Sequence, residues 1–202
     1  MRLARSWWLL GLAGWVMLLV VGWKELLQHA FTAGNAGSVT SQWPAASTLT
    51  LDRRLPTLLL FAHRNCPCTR QTLSELEQIL AQVPGRACVE IVFLAPAEAA
   101  KDRVGESLES RARALPDVQV VLDSEGVEPR RFGARTSGHV MLFDKDGRLL
   151  FSGGITSGRG HAGDNVGREM VLAVLKGEAV RWRTTPVYGC PLFGDEAETE
   201  GD

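Results

Sequence analysis

Apolar positions fall into a few distinct patterns along the chain. Residues 7–23 form a run of about 17 residues without charge, bounded by indoles. At 1.5 Å per residue such a helix spans roughly 25 Å, the short end of a bilayer crossing. Leu26 and Leu27 lengthen it if Lys24 snorkels. Over 28–54 no period is sustained, and the Ala, Gly, Ser and Thr there predict a tether. The pattern changes at Leu55. Residues 57–62 (TLLLFA) are continuously apolar, as a strand buried on both faces is. Leu73, Leu76, Ile79, Leu80 and Val83 recur at helical spacing, and Pro84-Gly85 ends that helix. A second buried strand is predicted over 87–95, a charged helix over 97–115 closed by Pro116, and a third strand over 118–122. Residues 140–143 and 148–151 flank Asp144-Lys145-Asp146-Gly147, the turn chemistry of a hairpin. A last helix begins near Asp164 and runs to Lys176.

The predicted order is β-α-β-α-β-β-β-α with an antiparallel closing pair. That is an α/β class with a mixed sheet flanked by helices, preceded by one N-terminal transmembrane helix. The organisation expected is a cytoplasmic tip and anchor over 1–27, a tether over 28–54, a globular domain over 55–193 and an acidic disordered tail over 194–202.

Composition narrows the function classes. The chain has 202 residues, 45% apolar and 22% charged, which suits one folded domain with an appendage. A net charge of −1 and a single Tyr leave no basic, aromatic-interleaved stripe, so nucleic acid is not an expected partner. Trp7, Trp8, Trp15 and Trp23 crowd into the first run, where indoles favour the headgroup level. Arg2 and Arg5 precede it, while Lys24 and Glu25 cancel after it. The expectation is a single-pass protein of the inner membrane, N-terminus in the cytoplasm, with its domain periplasmic or otherwise extracytoplasmic. A cleaved signal peptide is the competing reading, but its apolar region is usually shorter and Gly34-Asn35-Ala36 is a poor cleavage site. Either reading exports the domain.

The chemistry concentrates at Cys66-Pro67-Cys68, between a strand and an amphipathic helix. Pro67 suits a first helical position, because the amide it lacks would have no partner there. Cys66 then falls at the N-cap, where free amides and the helix dipole favour a thiolate. Residues two apart on a helix diverge, so a Cys66–Cys68 disulfide requires Cys66 outside the helical conformation and carries strain. The bland alternative is a pair of inert cysteines, or one half of a structural bridge to Cys88 or Cys190.

This strand, two-cysteine turn and helix resemble the thioredoxin superfamily, over roughly residues 55–180. The Asp144–Gly147 turn is similar to that of its exported, membrane-tethered branch, and the chain also resembles bacterial proteins labelled RedB. The resemblance implies a thioredoxin-like fold and a thiol–disulfide oxidoreductase. Its substrates would be exported protein thiols, such as those of apocytochromes or copper-site subunits. Cys66 would attack and Cys68 resolve, with Pro67, Gly138 and His139 against the substrate and no cofactor required. Two departures stand out. The family motif is Cys-x-x-Cys, and a proline, normally cis, occupies the place of Gly138. The alternative implied by resemblance is a copper chaperone for assembly of a respiratory copper or haem protein, holding Cu(I) at Cys66, Cys68 and His161. Those assembly factors space their cysteines more widely. A peroxiredoxin would need Thr where His63 stands.

Other residues qualify the site. His63 and Arg64 precede the pair, either as cations or metal donors acting on it or as a polar strand end. The glycine-rich segment 152–167 follows the hairpin on the same side of the sheet, bringing Arg159, His161 and Asp164 near the cysteines. His161 can serve as metal ligand, general base or partner of Asp164, or the segment is a plain loop capped by Asp164. It lacks the lysine of a phosphate-binding loop. Cys88 lies in an apolar strand, where cysteine packs as a small hydrophobe. Cys190, in a Gly/Pro turn, is either a resolving or bridging partner or an isolated thiol. Four cysteines allow three full pairings.

Overall fold

The computed structural model describes residues 2–95, 103–161, 163–180 and 182–194, without the side chains of 2–7, 9, 10 and 103–106. The chain forms two units, Met1–Thr32 and Ala33–Asp202. The first is one helix, α1 (Arg2–Phe31). Its described apolar side chains, Trp8, Leu12, Trp15, Val16, Leu19 and Trp23 among them, stand exposed on every side. Among the described residues no helix is long and apolar enough to cross a membrane.

The second unit runs β1 (Thr57–His63), α2 (Pro67–Gln82), β2 (Cys88–Leu94), α3 (Arg103–Arg113), β3 (Val118–Asp123), α4 (Val127–Phe132), β4 (His139–Phe143), β5 (Leu149–Gly154) and α5 (Val166–Lys176). Among the described residues the sheet has five strands in the order β3-β2-β1-β4-β5. β1, β2 and β3 are parallel, and β4 and β5 run antiparallel to their neighbours. This is a thioredoxin-like α/β fold with β1 at its centre.

The continuous apolar runs follow from burial on both sheet faces. Leu58, Leu60 and Ala62 of β1 pack with Leu73, Leu76 and Ile79 of α2 and Val171 of α5. Leu59 and Phe61 face the other way, toward Phe132, Met141, Phe143 and Leu192. Among the described residues of this unit no long helix covers that second face. The segment expected to be a tether does much of the covering from Ala33 onward. Trp43 sets its ring edge-on to Phe132 and Phe143, at 5.0 and 5.2 Å between centroids. Leu49 is buried, and Glu128 accepts hydrogen bonds from Ser47 Oγ (2.6 Å) and the Thr48 amide (3.1 Å). The segment is bound by single bridges and turns, which leave no period in sequence.

Two smaller differences concern a short helix and a helix cap. α4 is a helix of only six residues between two glycines in left-handed conformation, Gly126 and Gly133, too short to show a period. α5 is capped by Asn165, whose side chain accepts from the Arg168 amide at 2.7 Å; Asp164 lies outside the helix and bonds Arg168 Nη2 at 3.1 Å. The hairpin turn forms as predicted, Asp144 Oδ1 accepting from the Asp146 and Arg148 amides at 2.9 and 2.8 Å. The start of the helix predicted over 97–115 and the acidic tail from 195 fall outside the described residues.

Candidate active site

The carboxyl end of the central strand delivers the chain into a tight turn, closed by the Cys66 amide on the His63 carbonyl at 3.2 Å. Cys66 keeps an extended conformation (φ −81°, ψ 115°) as the N-cap residue, and Pro67 opens α2. Its sulfur therefore sits over the first turn, where no acidic side chain competes with it. Cys66 is fully buried, while Cys68 and Cys190 are half-buried. All four cysteines are free thiols.

What covers Cys66 is the chain's own C-terminal segment. Residues 183–192 pass along β5, through Ser152 amide to Arg183 carbonyl (2.9 Å) and Gly154 amide to Pro186 carbonyl (3.2 Å). They then pair antiparallel with Thr136–Ser137. The Ser137 amide donates to the Cys190 carbonyl at 2.8 Å, and the Leu192 amide to the Arg135 carbonyl at 2.8 Å. Gly189 is required by this approach, because a Cβ there would lie 1.9 Å from the Ser137 carbonyl oxygen. Arg159 Nη1 donates to the Gly189 carbonyl and fastens the segment from the glycine-rich side.

Three sulfurs thus share one pocket. Burial pushes the Cys66 thiol up, but four donors outweigh it: the Cys190 amide, the Cys190 thiol, the Ser137 hydroxyl and the Cys68 amide. Together they hold Cys66 below the ordinary thiol value. The Cys68 amide contributes as a nearby dipole and not as a full capping bond. Burial and the charge and hydrogen bond of Cys66 raise Cys68, opposed by Arg159 and the Gly160 amide. Burial and the same interactions with Cys66 push Cys190 up to about 12, again opposed by Arg159. The arrangement favours one thiolate, on Cys66, flanked by two thiols. Arg159 Nε is buried with no hydrogen-bond partner, so the guanidinium acts on the sulfurs through space.

Several expected members lie elsewhere. Arg64 turns away from the pair and ion-pairs with Glu109 on α3, so it is no cation for Cys66. His63 is half-buried, which lowers its pKa, and its Nδ1 accepts from the Asn65 amide at 3.2 Å. His139 does not face the cysteines: it is fully buried, with Nε2 2.7 Å from Ser152 Oγ on β5. Gly138 has φ +91° and donates its amide to the Phe61 carbonyl at 2.8 Å, two features no proline can adopt. The backbone there follows its own course, and the adjoining edge at Ser137 is already paired with Cys190. His161 is exposed, its Nδ1 2.9 Å from the Arg159 carbonyl oxygen. Among the described residues no group of three His, Cys, Asp or Glu side chains is placed to hold a metal ion. Asp164 is at the surface. Cys88 begins β2 opposite Thr57, apart from the site.

Two contributors carried no sequence signal. Ser137 Oγ accepts from the His63 amide (2.9 Å), lies 3.2 Å from Thr69 Oγ1 and hydrogen-bonds the Cys66 sulfur. Glu75, fully buried on α2, receives Arg168 Nη1 at 2.7 Å and the Gly163 amide at 3.3 Å, and so holds the glycine-rich segment that carries Arg159. A lone serine in a turn and one Glu in a helix look like surface residues until the fold brings their partners.

No family model and no curated protein matches the chain. Among solved structures, it is similar to an uncharacterized conserved protein from Geobacillus kaustophilus, with TM-score 0.59 and 18% identity over 80% of this chain and 92% of the other. A hypothetical protein from Sinorhizobium meliloti 1021 matches with TM-score 0.58 and 21% identity over 80% and 93%. These two likenesses speak to the fold alone. A secreted Mycobacterium tuberculosis disulfide oxidoreductase, described as homologous to DsbE of E. coli, is more distant, with TM-score 0.42 and 16% identity over 63% and 84%.

Proposed function

We propose that the domain is a thiol–disulfide oxidoreductase in which Cys66 is the attacking thiolate. The observation that supports it is the Cys66 sulfur at the start of α2, receiving the Cys190 amide and thiol and the Ser137 hydroxyl. Packing alone does not call for a buried sulfur ringed by donors; a stabilised thiolate does. Such a thiolate attacks a disulfide, takes one half as a mixed disulfide and releases the other as a thiolate, and a neighbouring thiol completes the exchange. The chemistry draws on sulfur alone, with Ser137 and Arg159 biasing where charge resides.

The substrates proposed are exported protein thiols, those of apocytochromes or copper subunits included, and α1 is proposed to hold the domain at the extracytoplasmic face of the inner membrane. The uncharged run over 7–23, the two preceding arginines and the exposed apolar side chains of α1 support that placement. Insulin reduction by the full chain, driven by a dithiol, tests the activity. Turnover is expected in the wild type and lost in Cys66→Ser; turnover surviving in Cys66→Ser overturns the reading. Alkaline extraction of membranes tests the anchor: retention with the bilayer is expected, and full release contradicts it.

A further inference from the structure

We propose that Cys190 is the thiol that resolves the exchange, so that oxidation closes a Cys66–Cys190 disulfide and locks residues 189–191 over the site. This rests on the reading of Cys66 as the attacking thiolate and assigns its partner.

Both candidate partners lie beside Cys66, and the backbone separates them. Cys68 is the second residue of α2, joined to Cys66 through a proline whose φ is fixed. Closing that pair makes a small ring and distorts the first helical turn, where the Thr72 hydroxyl bonds the Cys68 carbonyl at 3.4 Å. Cys190 comes from a remote segment, so no short ring constrains it. It is held in place on both sides: its carbonyl by the Ser137 amide, Gly189 by Arg159, and Leu192 by the Arg135 carbonyl. Its amide and its thiol both reach the Cys66 sulfur.

The same segment orders the two steps. Cys66 is fully buried beneath it, so a substrate disulfide reaches the sulfur only when residues 189–191 lift. The Cys66 thiolate then attacks one substrate sulfur, forming a Cys66–substrate bond and breaking the substrate S–S bond. The departing substrate thiolate leaves, taking a proton from solvent. Burial is the first cause that holds the proton on Cys190 and is relieved while the segment is lifted; loss of charge on Cys66 removes the second, its hydrogen bond and charge. As the segment re-docks, Cys190 gives its proton to solvent and attacks the Cys66 sulfur. The Cys66–substrate bond breaks, the second substrate thiolate leaves, and the Cys66–Cys190 bond forms. Two electrons pass from the two protein thiols to the substrate disulfide, which becomes two thiols. A small or protein dithiol restores the reduced state. Cys68 remains a thiol throughout.

Tryptic cleavage at Arg64, Arg70 and Arg183 isolates residues 65–70 and 184–202. The full chain is oxidised with oxidised glutathione, acid-quenched, alkylated, digested and weighed. The expected product is 65–70 joined to 184–202, with Cys68 alkylated. A disulfide internal to 65–70, with Cys190 alkylated, overturns the proposal while leaving Cys66 as nucleophile. In insulin reduction, Cys190→Ser is expected to slow turnover about tenfold or more and to accumulate a mixed disulfide on Cys66, whereas Cys68→Ser accumulates none. The reverse pattern also overturns it. Turnover persisting in Cys66→Ser strikes instead at the reading on which the proposal rests. The wild-type map requires no variant to fold.

Discussion

Cys190 presents both its backbone amide and its thiol to the sulfur of Cys66, from a segment paired with Ser137. One contact therefore fixes the charge state of the site, shields it from solvent and supplies a second sulfur. Few other arrangements would make a buried cysteine easier to ionise than an exposed one, since burial alone acts in the opposite direction.

The thiolate of Cys66 is expected to form below the ordinary thiol range. Titrating ultraviolet thiolate absorbance in the reduced chain checks this without requiring reagent access. Cys190→Ala and Ser137→Ala each remove a donor to the thiolate, so each is expected to move the Cys66 transition to higher pH. Ser137→Ala also leaves the His63 amide without its acceptor, at a cost of about 1 kcal/mol in urea unfolding. A transition that stays put in both variants contradicts the donor assignment.

Gly189→Ala tests the lid. The added methyl meets the Ser137 carbonyl, so the segment is expected to lift, with a loss of about 1–3 kcal/mol in stability. Cys66 should then react faster with iodoacetamide, read by mass spectrometry of residues 65–70. Unchanged protection of Cys66 would show that something else covers it.

His139 gives the domain an acid-sensitive core. Burial pushes its pKa down to about 4, and its Nδ1 is buried with no hydrogen-bond partner. The unfolded chain takes up a proton near the ordinary histidine value, while the folded chain does so only near 4. Stability is therefore full above about pH 6.5 and falls by about 3 kcal/mol as the pH drops toward 4. His139→Gln, which keeps a partner for Ser152 without titrating, is expected to flatten that slope. Glu90, raised by burial, bends the curve the other way in both proteins and drops out of the comparison.

Glu75 secures the glycine-rich segment from beneath. Glu75→Ala leaves Arg168 only its contacts with Asp164 and Gln78, and is expected to cost about 3 kcal/mol and to expose the backbone around Arg159 to limited proteolysis. A stable, protease-resistant variant would place the anchoring elsewhere.

The fold was legible wherever burial is regular. Residues 58–62 and, apart from Glu90, 87–95 are apolar because both sheet faces are covered, and Asp144 and Gly147 mark their turn by side-chain and backbone requirements that few other residues meet. Cys66 and Pro67 likewise announced an N-cap. Tertiary convergence was not legible. Cys190 lies 124 positions (190 − 66) from its partner with only a Gly/Pro turn around it, and nothing local says that Ser137 pairs with it. Trp43 and Leu49 sit in a segment without period because they plug a sheet face one side chain at a time. His139 and Arg64 carry no local sign of their partners; the strand's alternation turns His139 to Ser152, and α3 draws Arg64 to Glu109.

Equilibrium with glutathione tests the central claim most directly. If the domain exchanges disulfides through Cys66 and an internal partner, the oxidised fraction of the full chain will follow the square of reduced glutathione over oxidised glutathione. Two thiols will disappear together, and the couple will vanish in Cys66→Ser. A fraction that follows the first power, with only single glutathione adducts, or a couple that persists in Cys66→Ser, contradicts the account.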